Sequence, residues 1–107
     1  MPALKICGLT DLGQALAIAK LGADAIGVIG VPDTPRYLAD APRRALFECL
    51  EQLAPHLQRV WVVANATEDT INKGLSGAGA PTVVQLHGDE SPETCLNLRQ
   101  RHPETRF

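Results

Sequence analysis

The 107 residues carry few aromatics: one tryptophan, one tyrosine and two phenylalanines. Nothing in the chain resembles a row of rings interleaved with basic residues on which nucleobases would stack. An excess of one charge is lacking too. Ten Lys and Arg stand against twelve Asp and Glu, a formal net charge of −2, with the signs mixed along the chain. That balance predicts no nucleic-acid partner. No apolar run approaches the ~20 residues that a membrane-spanning helix needs. The N-terminus has no positive segment leading into an apolar stretch, so neither a membrane partner nor a secretory signal is expected. The three cysteines, Cys7, Cys49 and Cys95, are odd in number and far apart, which predicts free thiols and a cytoplasmic protein. Cys-x-x-Cys and His-Glu-x-x-His spacings are missing, so no metal site is expected. A serine-hydrolase elbow is missing as well. The glycines between Ser76 and Pro81 follow a helical pattern, whereas a dinucleotide fingerprint follows a strand.

What the chain does have is a fourfold alternation of strand and helix signals, within a length that allows one domain. The first strand is read from about Ala3 to Cys7. A helix follows from about Asp11 to Leu21, with Leu12, Ala15, Leu16 and Ala19 on one stripe and Gly22 as its stop. Asp24 to Ile29 reads as a second strand, apolar enough to be covered on both faces. A loop stiffened by Pro32 and Pro35 leads to a helix that begins near Asp40, buries Leu46, Phe47, Leu50 and Leu53, and ends at Pro55. Arg59 to Ala64 is the third strand, closed by Asn65, and Thr67 caps a short helix through Leu75. Thr82 to Leu86 is the fourth strand. Ser91-Pro92-Glu93 opens the last helix with a cap, a proline in the first turn and an acid that suits the helix dipole. Arg99, Arg101 and His102 fall at its far end. The pattern is (βα)4, a parallel-sheet unit, and it fits either an open doubly wound sheet or half of an eight-stranded barrel.

In both architectures the carboxyl ends of the strands share one face, where α/β proteins place their chemistry. Cys7-Gly8, the loop carrying Arg36, Asn65, and Gln85 to Asp89 all land there. Each has a plain structural reading: a packed thiol for Cys7, a solvated charge for Arg36, a histidine satisfied by a carbonyl for His87. His56 and His102, at helix ends, read as structural or solvent-exposed. Cys49 and Cys95 fall within helical patterns and read as small packing residues.

Three segments, in order and at matching spacing, carry more information. They are Lys5-Ile6-Cys7-Gly8-Leu9-Thr10; then Gly22-Ala23-Asp24-Ala25-Ile26-Gly27 with Thr34-Pro35-Arg36-Tyr37; and Val84-Gln85-Leu86-His87-Gly88-Asp89-Glu90. With them the chain resembles the N-terminal half of the phosphoribosylanthranilate isomerases of tryptophan biosynthesis. Two smaller departures are Val28-Ile29-Gly30-Val31, which stands where many members have aromatics, and Thr34, where serine is commoner. The resemblance implies a TIM (βα)8 barrel of which residues 1–107 are half. It implies an Amadori rearrangement of a phosphorylated sugar–anthranilate to the aminoketose, without cofactor or metal. In that reading Cys7 is the general base, Arg36 holds the anthranilate carboxylate, and Gln85 and His87 line the same pocket. Thiols, which ordinarily titrate near ~8.5, become useful bases where positive charge favours the thiolate. A guanidinium fork suits a planar carboxylate.

Family members run to roughly 200 residues, the small end of the barrel range. The resemblance places their general acid and phosphate site on later strands. These residues are therefore expected to form a truncated, inactive piece of the enzyme. The alternatives are a non-catalytic half-barrel scaffold that self-associates, with a homodimer formed through its two open strand edges, and a flavodoxin-like binding domain.

Overall fold

The computed structural model describes residues 4–107, so Ala3, assigned above to the first strand, lies outside the described residues. The elements alternate as read: β1 (Lys5–Cys7), α1 (Leu12–Lys20), β2 (Ala25–Ile29), α2 (Asp40–Leu53), β3 (Gln58–Val63), α3 (Glu68–Leu75), β4 (Val83–Leu86) and α4 (Pro92–Arg101). Local chemistry sets several boundaries. The side chains of Asp11, Thr67 and Ser91 each accept a hydrogen bond from the backbone N–H three residues on, in the first turns of α1, α3 and α4, which satisfies a donor that the helix itself leaves open. Gly22, at φ +95°, turns the chain out of α1 in a conformation that costs glycine little.

All strand pairs are parallel and the order is β1-β2-β3-β4. That order separates the architectures left open by the pattern. A doubly wound sheet reverses its strand order at a switch point, whereas a barrel adds each strand beside the last. The chain is a (βα)4 half-barrel, and the flavodoxin-like alternative is set aside.

Register and strand alternation assign the two faces. Ile26, Val28, Trp61, Val63 and Val84 point to the helices and form the core with Ala15, Leu46, Phe47 and Leu50. Lys5, Cys7, Gly27, Ile29, Val62 and Gln85 have the opposite parity and line the concave face. Coverage there is less complete than predicted for β2, since Ala25 and Ile29 are only half-buried. Leu53 departs from its expected place in the core, at 63 % exposed. The buried stripe of α2 runs through Arg43, Leu46, Phe47 and Leu50 to Ala54. That spacing carries it past Leu53 on the inner side of the helix.

Arg43 is the unexpected member of that stripe. It is fully buried, with its guanidinium carbon 4.8 Å from the Trp61 ring centre and 5.8 Å from that of Phe47. It donates to Asp40 Oδ1 at 2.5 Å and to the Gly79 carbonyl at 2.8 Å. Arg44 donates to Asp40 Oδ2 and to the carbonyls of Ser76 and Ala78. The two arginines fasten α2 to the end of α3 and the turn before β4. Gly74, inside α3, is explained by the same packing: a Cβ there would stand 2.4 Å from the Trp61 ring.

At the β4 edge, Arg106 pairs in parallel with Val83, and Val84 N–H donates to the Arg106 carbonyl at 2.8 Å. This single parallel bridge covers part of the outer edge of β4.

Candidate active site

β1 carries Cys7 to the rim of the concave face. Its register partner on β2 is Gly27, and a Cβ on Gly27 would stand 2.7 Å from Cys7 Sγ. The glycine makes room for the thiol to lean over the neighbouring strand. The chain then turns at Gly8 (φ +81°). Gly8 N–H and Leu9 N–H both donate to the Gly27 carbonyl, at 2.9 and 3.2 Å.

The loop after β2 is braced at both ends. Thr34 Oγ1 donates to the Val31 carbonyl at 2.8 Å, and Leu38 N–H returns to the Ile29 carbonyl at 2.9 Å. Asp33 takes a left-handed turn at φ 67°. This folds Arg36 back over β1, so that a Cβ on Gly8 would stand 2.8 Å from Arg36 Cδ and 3.1 Å from Nη1. The absence of a side chain at position 8 is what lets the arginine lie beside the turn that presents the thiol.

Cys7, Arg36, Gln85 and His87 all line one cavity of about 510 Å³, with Ile29, Val31, Val62 and Ala64 among its apolar walls. Its size and its mix of apolar wall with few polar groups are those of a small-molecule site. The packed-thiol reading of Cys7 fails, since the residue is exposed; Cys49 and Cys95 are half-buried in α2 and α4. His56 is exposed, and His102 bonds to Asn72 Oδ1 at 2.6 Å, away from the cavity. Asn65, expected at the rim, joins the turns after β3 and β4 rather than the cavity wall.

One participant was not anticipated. Lys5 reaches across the concave face and donates to Gln85 Oε1. An ammonium only donates, so the carboxamide oxygen of Gln85 faces Lys5 and its NH₂ is left for the cavity side. The signal was present, because Lys5 stands two residues before Cys7 and so shares its face. Among the described residues no group of three His, Cys, Asp or Glu side chains is placed to hold a metal ion. No helix among them is long and apolar enough to cross a membrane.

Parallel strands added in sequence, helices on the convex side and a cavity at the carboxyl rim define half of a (βα)8-barrel enzyme, with the thiol and guanidinium at its mouth. Residues 4–106 match the family model described as N-(5′-phosphoribosyl)anthranilate (PRA) isomerase, and the chain belongs to that family. It is 44 % identical over 100 residues to the N-(5′-phosphoribosyl)anthranilate isomerase of Synechococcus elongatus, covering 94 % of this chain and 45 % of the relative. Among solved structures it is similar to a phosphoribosyl anthranilate isomerase in complex with reduced 1-(o-carboxyphenylamino)-1-deoxyribulose 5-phosphate. The TM-score is 0.86 at 35 % identity, over 94 % of this chain and 50 % of that one. It is also similar to the structure described as mutually generated monomers of the dimeric isomerase from Thermotoga maritima, with a TM-score of 0.82 at 33 % identity, over 94 % and 49 % of the two chains. The chain thus spans about half the length of the relatives it matches.

Proposed function

We propose that these residues are the base-bearing, N-terminal half of a phosphoribosylanthranilate isomerase of tryptophan biosynthesis, acting in the cytoplasm. The substrate is N-(5-phosphoribosyl)anthranilate, a phosphorylated sugar–anthranilate. Arg36 receives the anthranilate carboxylate through its planar fork. Gln85 and His87 bound the same pocket. Once the sugar ring has opened to the protonated imine, the Cys7 thiolate takes the proton from C2. The electron pair moves to form the enolamine, which becomes the aminoketose when its enol proton shifts to carbon. No external oxidant, reductant or metal is consumed. The observation that carries this reading is the Arg36 side chain lying against Gly8, next to Cys7, at the mouth of one cavity.

These residues alone are not expected to turn over. The family resemblance assigns the acid that opens the ring, and the phosphate loops, to later strands, and a missing acid alone costs roughly 10²- to 10⁴-fold. The purified chain, assayed with freshly prepared phosphoribosylanthranilate, should show no turnover above background. Turnover that disappears with Cys7→Ala would overturn this expectation. The carboxylate assignment is tested by titrating the chain with anthranilate, whose fluorescence reports binding. Arg36→Lys should weaken that binding, and an unchanged affinity would remove Arg36 from the role.

A second reading, of a self-associating scaffold, is favoured by the edges. β1 pairs only with β2, and beyond Arg106 the outer edge of β4 is open at Gln85 and Leu86 among the described residues. Such edges recruit further strands. Two copies related by a two-fold axis would set β4 of each beside β1 of the other. Sedimentation velocity should reveal a concentration-dependent dimer, and a monomer at every concentration would rule the dimer out.

A further inference from the structure

We infer that Glu90 is a positioning residue for the His87 wall of the cavity, an inference that deepens the isomerase reading and rests on it for its catalytic meaning. His87 is exposed, and its own N–H donates to the Val63 carbonyl at 2.8 Å. That bond anchors the end of β4, but the chain beyond, Gly88 and Asp89, is exposed. Glu90 folds back over it. Its Oε1 accepts from Gly88 N–H at 2.7 Å and its Oε2 from Asn65 N–H at 2.5 Å. One carboxylate thereby holds the turns after β3 and β4 together.

Asn65 completes the clamp. It sits at φ 52°, a left-handed conformation that asparagine tolerates better than most residues, and its Oδ1 accepts from Asp89 N–H at 2.9 Å. The approach is close: a Cβ on Gly88 would stand 2.7 Å from Asn65 Cγ and Oδ1 and 2.8 Å from its backbone nitrogen. Both ends of the clamp adjoin the cavity, since Ala64 precedes Asn65, His87 precedes Gly88, and both Ala64 and His87 line the wall. A displacement of the clamp reaches the cavity through a single peptide unit.

The ionised carboxylate is the form that fits. It is acceptor-only and serves two N–H donors at once, whereas an amide presents one acceptor oxygen. Desolvation works against the charge of Glu90. The N–H groups of Asn65, Glu90 itself and Gly88, with His87 nearby, outweigh it and hold the carboxyl below its ordinary value.

The test is a comparison of the 107-residue chain with its Glu90→Ala and Glu90→Gln variants by heteronuclear NMR and by titration with anthranilate. In Glu90→Ala the Asn65 and Gly88 amides should exchange about tenfold faster or more, while the β3 amides of Trp61 and Val63 keep their protection. The His87 ring resonance, assigned against those of His56 and His102, should move and broaden, and the anthranilate dissociation constant should rise several-fold. Glu90→Gln should leave one of the two clamped amides protected. Unchanged His87 resonances together with unchanged Asn65 and Gly88 exchange in Glu90→Ala would overturn the inference. Should Glu90→Ala lose the β3 protection as well, Glu90→Gln decides: both clamped amides as slow as in the parent chain would equally overturn it. A parent chain that does not bind anthranilate would count against the carboxylate pocket, and the exchange and His87 measurements would still decide the role of Glu90.

Discussion

Cys7→Ala, in a polypeptide that completes the barrel around these residues, is expected to lower kcat/KM by roughly 10²- to 10⁴-fold, the usual worth of a positioned general base. The loss should fall on kcat. The methyl group of alanine fits over Gly27 at least as easily as the thiol, so β1 and its turn stay in place, and the carboxylate contact proposed for Arg36 does not involve the sulfur. KM is expected to change little. Cys7→Ser, close in size, should be nearly as impaired, because a hydroxyl is a far poorer source of anion than a thiol near neutral pH. Steady-state kinetics with phosphoribosylanthranilate check both variants. A Cys7→Ala enzyme that keeps most of its kcat would remove the base from β1 and leave the thiol as a wall of the cavity.

Arg43→Ala should be strongly destabilising, at about 2–5 kcal/mol, the usual cost of truncating a long, fully buried side chain and leaving a cavity; its partner Asp40 is mostly exposed and keeps its bond from Arg44. For a domain of this size that cost corresponds to a fall in Tm of about 8 °C or more. Several losses coincide. The guanidinium leaves a space between Phe47 and Trp61, the Gly79 carbonyl loses its donor, and α2 loses one of its two ties to the turn before β4. Arg43→Met should cost less, since an unbranched apolar chain refills the space while the carbonyl goes unpaired. The partner Asp40 adds a pH signature. Desolvation opposes its charge, but hydrogen bonds from Arg44 and Arg43 and their positive charges hold its carboxyl below the ordinary 3.8. Its folded-state pKa is depressed, so the stabilisation it provides is fully present above pH 3.8 and is lost as pH falls through the lowered value. Thermal unfolding of the parent chain and both variants from pH 3 to 7 would show this. Equal Tm values for parent and Arg43→Ala at pH 7 would mean that the buried charge contributes nothing.

Arg43 also marks where sequence reading stops. A charged residue three positions into a helix normally faces water, and nothing local to Asp40-Ala41-Pro42-Arg43 reveals that Trp61, eighteen residues later, offers its ring as a floor. The glycines at 8, 27 and 88 carry the same limitation. Gly8 and Gly88 read as turn residues and Gly27 as the interior of a strand, and only assembled strands show that Gly27 clears the thiol, Gly8 clears Arg36 and Gly88 clears Asn65. Glu90 reads as an acid ahead of a helix, while its two bonded partners belong to different turns.

The order of strands and helices, two of the helix caps and the rim position of Cys7, Arg36, Gln85 and His87 were all legible in the amino-acid sequence. Those features follow from short-range periodicity, capping chemistry and the rule that parallel strands end on one face. The strand–helix pattern left open whether the four units curve into half a barrel, which the family resemblance implied and the strand order settled. Which backbone lies close enough to exclude a side chain was decided only in three dimensions. Strand order and close packing depend on contacts between residues far apart in the chain, and no local pattern encodes them.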